Sequence, residues 1–359
     1  MFPPLPSTFY GALRSAVLAQ HNKSIDDFHS RKKPYDDLPE VGTPDQMGTL
    51  SISGPCLAQK NEDFEDFDLY MPAPAHLTCE KEASDRFHLL FPSENDIIAK
   101  DCADLDCQLH LVQGPESTIV QSFNDFLSSN DTAGVLRQKC PEQKKIKQKN
   151  NALFKTFWQV GLERDRSRNT KEGQLYSAGH YQMPDAAGFY LKVSNMPDMT
   201  SGILKLGGEW RAAAYEKIAE QAPFNNALID DIAEKITKNK RFLLWLITPA
   251  IFNNAYLPDF LDTRTLEGRL NGIAVKLIAC QTKSKSFVGG FKLGKGGSGE
   301  SKKGYYAVPA GSVYFFECLD SLDRDAAIQF VNNQMFETIK PQKNNAAQQG
   351  FGTTLIGGF

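Results

Sequence analysis

Apolar positions recur at helical spacing in three stretches and alternate with polar ones in most of the others. After Met1-Phe2-Pro3-Pro4-Leu5-Pro6-Ser7-Thr8, where prolines keep the chain extended, Phe9, Leu13, Ala16 and Val17 form one helix face. Ser7 is the predicted N-cap of that helix, Arg14 falls off its apolar face, and His21-Asn22-Lys23 closes it. Leu228, Ile229, Ile232, Ala233 and Ile236 line a second helix. Ser321 to Ile339 reads as a third, capped by Asp320 or Ser321, with Leu322, Ala326, Phe330 and Val331 inward. Helical periodicity is weaker from Pro115 to Arg137, and Ser24 to Gly48, polar and broken by prolines, reads as a loop or insertion.

Strands are predicted at Leu50 to Leu57, Phe189 to Val193, Phe242 to Ile247, Ile273 to Ala279 and Tyr306 to Glu317, with an extended segment from Phe67 to Ala75. Leu153 to Leu162 and Leu175 to Met183 read as two strands joined by the charged Glu163 to Gly173, the pattern of a projecting hairpin. Ile203-Leu204-Lys205-Leu206 runs straight into Gly207-Gly208, a strand meeting a sharp turn. Strands and helices are mixed without steady alternation, so the fold class is α+β. Two four-stranded ferredoxin-like (RRM-like) units account for the length, with a boundary placed between 1–195 and 196–359.

Composition narrows the picture. The 359 residues are 41% hydrophobic, enough for real cores, and no apolar run approaches a membrane span. No export signal opens the chain, so the seven cysteines are expected in a reducing cytoplasm, and their odd number argues against a disulfide framework. Cys102, Cys107 and His110 lack a zinc-module spacing and a fourth ligand, so buried thiols and no metal or other cofactor are expected.

The net charge of -3 gives no whole-molecule pull on nucleic acid, but its distribution is uneven. From Asp26 to Asp106 there are 19 acidic residues against 7 Lys and Arg, from Arg137 to Glu172 there are 11 basic against 4 acidic, and from Lys276 to Lys303 there are 7 basic against 1. Basic stretches on a neutral body suit a phosphate backbone, while solvated loops have the same composition. Lys139 to Asn151 is the most linker-like of them.

Glycine lets a backbone approach an anion closely. Gly350-Phe351-Gly352-Thr353-Thr354-Leu355-Ile356-Gly357-Gly358-Phe359 alternates glycine with aromatics able to stack on bases, or is simply a turn between two strand ends. Gly289 to Gly299 adds Lys292 and Lys295, and is an RNA-contacting loop or a flexible one. Gly294-Lys295 is followed by Gly296 with no helix behind it, which excludes a triphosphate loop. The six histidines form no metal-ligand pair, and no nucleophile sits in a catalytic setting. His180 is the best general-acid candidate.

Six ordered segments resemble a known family, the third subunit of the Cmr complex, the type III-B CRISPR effector, within the RAMP superfamily. They are Pro3 to Arg14, Leu206-Gly207-Gly208-Glu209-Trp210-Arg211, Leu246-Ile247-Thr248-Pro249-Ala250, Ala307 to Tyr314 and the glycine-rich tail, with a weaker stretch from Val160-Gly161-Leu162-Glu163-Arg164-Asp165 to Gly173-Gln174-Leu175-Tyr176. The resemblance implies a non-catalytic subunit that grips the 5′ tag of CRISPR RNA and docks on the large polymerase-like subunit and a backbone subunit. It implies that Ser7, Thr8, Arg14, Gly207, Gly208, Arg211, Gly350, Gly352, Gly357 and Gly358 face the tag. It further implies that Arg164, Arg166 and Arg168 lie at the root of a thumb-like hairpin along the guide. Family members carry a strand ahead of the proline-rich helix start, so the first strand of domain one is expected to be absent from this chain, through a late start or supply by another chain. The alternatives are a metal-independent endoribonuclease using His180 or His21, and a purely structural adaptor.

Overall fold

The computed structural model describes residues 3–60, 67–80, 87–97, 110–113, 120–122, 125–141, 153–164, 170–207, 211–218, 223–293 and 299–359. The fold is α+β, built on two antiparallel sheets. Helix α1 (Pro6–Gln20) buries Phe9, Leu13, Ala16 and Val17 as its spacing requires. It starts at Pro6, not at a Ser7 cap. Leu5 is the N-cap, makes no side-chain cap bond, and leaves Ser7 inside the first turn, because proline is pre-set for the first helical position and lacks only an N–H that would be orphaned there anyway. A six-residue helix, α2 (Ile25–Ser30), sits in the stretch read as a loop, with Ser24 Oγ accepting from Asp27 N–H.

The N-terminal sheet contains β1 (Ser51–Lys60), β2 (Phe67–Pro72), β3 (Phe126–Ser128) and β4 (Ala187–Ser194), in the order β4-β1-β2-β3. β1 and β2 pair directly, and the last strand returns to lie beside the first. Helix α3 (Ser129–Leu136) follows β3.

Helix α4 (Asn226–Asn239) buries the five apolar residues its pattern marked out, and leads into the C-terminal sheet. That sheet contains β5 (Arg241–Leu246), β6 (Glu267–Leu270), β7 (Ile273–Gln281), β8 (Val313–Cys318), β9 (Glu337–Thr338) and β10 (Thr353–Gly358), in the order β6-β7-β8-β5-β10-β9. Its inner four, β10-β5-β8-β7, have the strand order of a ferredoxin-like unit. The connection from β5 to β7 carries no helix. α4, ahead of β5, packs instead beside α5 (Arg324–Gln334), and both helices contact β10.

Two boundaries differ from the sequence reading for visible reasons. Tyr306 to Glu317 is not one strand, because Pro309 and Gly311, at φ +89°, turn the chain between Tyr305–Ala307 and β8. α5 is capped by Asp323, whose carboxylate accepts from Ala326 N–H at 2.8 Å. Asp320 instead receives Ala274 N–H and Ser321 receives Lys240 Nζ. The helix ends at Gln334 because Phe336 takes φ +59° and the chain enters β9.

The two sheets share one apolar cluster running from Cys56, Leu69 and Met71 to Phe242, Trp245 and Phe315. Polar ties cross the seam where β2 ends. Trp245 donates its indole N–H to Pro72 O at 3.0 Å, Ala75 N–H reaches Gly311 O at 2.6 Å, and Lys283 Nζ donates to Ala73 O at 3.0 Å.

The glycine-rich tail is the main correction. Gly350, Gly352, Gly357 and Gly358 are buried in protein. A Cβ on Gly358 would lie 2.7 Å from Lys235 Cβ and 2.9 Å from Ile232 O on α4, and one on Gly357 would lie 3.2 Å from Leu136 on α3. A Cβ on Gly350, at φ +91°, would fall 2.4 Å from Gly54 O. Gly352 packs in the same way on Gln342, with Nε2 2.3 Å from where its Cβ would sit. These glycines make room for helices and backbone, so the tail faces the core and not a phosphate. Gly350→Ala and Gly358→Ala are each expected to destabilise the protein by at least about 2 kcal/mol in urea unfolding. Unchanged stability with weakened RNA binding would instead mark them as surface contacts.

His76 is fully buried between Phe91 and Phe315, and neither ring nitrogen has a hydrogen-bond partner among the described residues. Burial pushes its pKa from 6.5 down to about 3. The unfolded chain therefore binds a proton that the folded one refuses in that interval, so stability is full above pH 6.5 and falls as the pH drops towards 3. His76→Phe is expected to flatten this acid limb in pH-dependent unfolding, without loss at neutral pH.

Candidate nucleic-acid interface

The projecting hairpin forms as its alternation predicts, from Lys155–Arg164 and Thr170–Gln182. Register places Phe157 opposite His180, Trp158 opposite Gly179, Val160 opposite Ser177 and Leu162 opposite Leu175. Directly opposed residues share a face, so the hairpin has two unlike sides. One carries Trp158, Val160, Leu162, Leu175 and Tyr181, all exposed. On that side the Trp158 ring lies across Gly179, with ring carbons 3.5 Å from where a Cβ would sit.

The other side is polar and aromatic. The rings of Phe157 and His180 stack at 5.2 Å, with an interplanar angle of 20°. Arg211 Nη2 donates to His180 Nδ1 at 2.9 Å. A guanidinium can only donate, so His180 accepts at Nδ1 and carries its proton on Nε2. Arg211 opens the strand Ala212–Tyr215, which pairs with Gly202–Lys205, and the turn between them closes through Leu206 N–H to Arg211 O at 2.9 Å. Gly207 takes φ +81° there, exposed and with open space beside it, a conformation that strains any residue with a Cβ.

Sequence-marked Gly207, Arg211 and His180 thus meet at one place. Phe157 was missed as a site residue, because only register shows that its ring faces His180. An exposed phenylalanine ring stacked on a half-buried histidine, an arginine and a glycine turn can stack on an unpaired base and donate to a phosphate.

Other marked residues lie elsewhere. Ser7 and Thr8 are half-buried in the first turn of α1. Arg14 is turned into the fold, with Nε donating to Val41 O at 2.9 Å and Nη2 to Thr43 O at 2.6 Å. Its guanidinium sits 5.1 Å from the Phe28 ring centre, and burial lowers its pKa. It clamps the loop that follows α2. Arg164 ends the first hairpin strand and Lys292 lies in the strand Phe291–Leu293, but their side chains, with Gly208, Arg166, Arg168 and Lys295, lie outside the described residues. So do Cys102, Cys107 and the side chain of His110, together with most of Lys139 to Asn151.

Residues 1–358 match the family described as CRISPR-associated protein (Cas_Cmr3). No curated protein sequence matches the chain. Among solved structures, the chain is similar to one in the cryo-EM structure of the type III-B Cmr-beta bound to cognate target RNA, at 14% identity over 99% of this chain and 86% of that one, with a TM-score of 0.49. A second structure of that complex, with target RNA and AMPPnP, has a similar chain at 14% identity, coverage of 99% and 88%, and a TM-score of 0.48. A chain of the Csm3-Csm4 subcomplex of the type III-A CRISPR-Cas interference complex is similar at 10% identity, 89% of each chain and a TM-score of 0.36.

Arg14→Ala is expected to destabilise the fold by about 2 to 4 kcal/mol, since two charge-assisted bonds to part-buried carbonyls are lost. Arg14→Lys should not restore it, because an ammonium cannot span both acceptors. Urea unfolding measures this, and unchanged stability with a reduced salt dependence of RNA binding would return Arg14 to the RNA surface.

Proposed function

The chain belongs to the CRISPR-associated Cas_Cmr3 family, and from that membership we propose that it is a non-catalytic subunit of a type III-B effector complex which holds the 5′ tag of the CRISPR RNA. In this reading it also docks on the large polymerase-like subunit and on a backbone subunit. The observation that carries the RNA part is the cluster of Phe157, His180 and Arg211 beside the Gly207 turn. It offers stacking surface, a guanidinium and unobstructed backbone together, on a hairpin whose stretch of chain is basic, with 11 Lys and Arg against 4 acidic residues from Arg137 to Glu172.

The reading gives His180 a positioning role instead of an acid–base one. Arg211 donates to its Nδ1, so that ring nitrogen is taken up by a contact within the protein. Incubation of the chain with repeat RNA in EDTA checks this directly: intact RNA is expected, and cleavage lost in His180→Ala would make the chain a nuclease.

Arg211→Ala and Phe157→Ala should each weaken binding of a tag-bearing CRISPR RNA by about tenfold. Only the arginine change should lower the slope of log affinity against log salt, by about one. Fluorescence titration at several salt concentrations measures both. Tag binding that survives both substitutions unchanged would remove this cluster from the interface.

A further inference from the structure

A second ribbon leaves the C-terminal half. Ser286–Val288 pairs with Tyr305–Ala307, Phe291–Leu293 pairs with Gly299–Ser301, and Lys302 N–H donates to Gly290 O at 2.8 Å between the two ladders. The inner rung has an anchored side and an open one. Val288 and Ala307 are buried with Ile251, Ala346 and Phe351, and Leu5, just ahead of α1, packs on the same cluster. Phe287 and Tyr306, directly opposed on the open side, are 59% and 64% exposed.

These two rings are held in place. They meet edge to face at 5.8 Å and 71°. A Cβ on Gly304 would fall 2.1 Å from the Phe287 ring, so the tip of that ring lies against a glycine that nothing larger could replace without moving it. Lys285 Nζ stands 4.6 Å from the centre of the Tyr306 ring. Phe291, the next aromatic along the ribbon, is 57% exposed. From Lys276 to Lys303 the chain carries 7 basic residues and a single acidic one.

Exposed rings held beside cations, in a segment of one charge sign, match a polyanion with flat apolar faces better than an apolar protein surface. We propose that this ribbon is a stacking site for unpaired nucleotides, in which Phe287 and Tyr306 take bases and Lys285 meets the backbone phosphates. The site rests on the reading of the chain as an RNA-binding subunit, and adds a platform formed by neither the hairpin nor the Gly207 turn. Every base has a π face, so the site is tolerant of sequence and intolerant of duplex, whose bases are already stacked on one another.

The test uses the full chain with three fluorescent probes: a short oligoadenylate, a ribose-phosphate oligomer of equal length lacking bases, and a blunt RNA duplex. Oligoadenylate is expected to bind at least about tenfold tighter than the base-free oligomer, and Phe287→Ala or Tyr306→Ala should each remove about tenfold of its affinity. Binding of the other two probes should be unchanged by either substitution. Phe287→Trp and Tyr306→Phe should retain the affinity, and all four variants should melt like the parent, because the substituted rings are on the open side. Lys285→Ala should weaken both single-stranded probes and lower their salt slope by about one. Equal affinity for oligoadenylate and the base-free oligomer would overturn the stacking site, as would alanine variants that bind oligoadenylate like the parent. If tag-bearing RNA still depends on Phe157 and Arg211 in that case, the ribbon inference fails alone. If the parent binds no single-stranded RNA, both readings fall.

Discussion

The close approach that glycine permits to β10 is the constraint on which both halves of the molecule depend. This strand lies beside β5, under α4 and against α3, with every residue buried. At Gly357 and Gly358 a side chain would meet Leu136 and Lys235, so only a bare backbone fits. The turn before it is equally tight. Thr248 Oγ1 donates to Gly350 O at 2.7 Å, and Gly54 N–H of β1 donates to Thr353 Oγ1 at 2.9 Å. One strand therefore completes the C-terminal sheet and fastens β1 to it. Lys192 of β4 adds an ion pair to Glu337 at 2.7 Å along the same edge. Such half-exposed pairs add little by themselves, so the apolar packing carries the joint.

Elements with strong period and length were legible in the sequence. The buried faces of α1 and α4 follow from Phe9, Leu13 and Val17 and from Leu228, Ile232 and Ile236, and the long hairpin follows from alternation on either side of a charged segment. Elements defined by tertiary partners were not. α2 has six residues and one buried side chain, too few for periodicity to register. The start of α5 depended on which of Asp320, Ser321 and Asp323 was free to cap, and Asp320 and Ser321 are taken by Ala274 on β7 and by Lys240 at the end of α4, both distant in sequence. Strand order was equally hidden, because pairing β1 with β2 and returning β4 beside β1 is a choice among non-local contacts that local pattern does not encode.

Glycine shows the same limit in one residue type. Gly207 and Gly358 are indistinguishable as letters beside a strand. At Gly207 the missing Cβ leaves open solvent and a positive φ, whereas at Gly358 it leaves room for a helix. The first belongs to a surface that can meet a ligand and the second to the core. Arginine divides likewise between Arg211, exposed and bonded to a half-buried histidine, and Arg14, which clamps two loop carbonyls. Among the marked positions, Arg211 and His180 come together beside the exposed Phe157 ring.

The location of those aromatics follows from how the sheets are covered. β5, β8 and β10 are buried on both faces, and most of β1 is too, so these strands offer no open face on which to seat a base. The paired strands outside the sheets supply open faces instead. On the 155–164 strand, side chains from Lys155 to Val160 are exposed in both directions, and the 286–307 ribbon anchors one side and opens the other. A two-stranded ribbon is marginal by itself, and each of these carries a cross-strand ring pair, Phe157 on His180 and Phe287 on Tyr306. These cross-strand contacts are therefore also the open aromatic surface of each ribbon. A base stacked there would add area to the same pairs that hold the strands, coupling occupancy to the order of the ribbon.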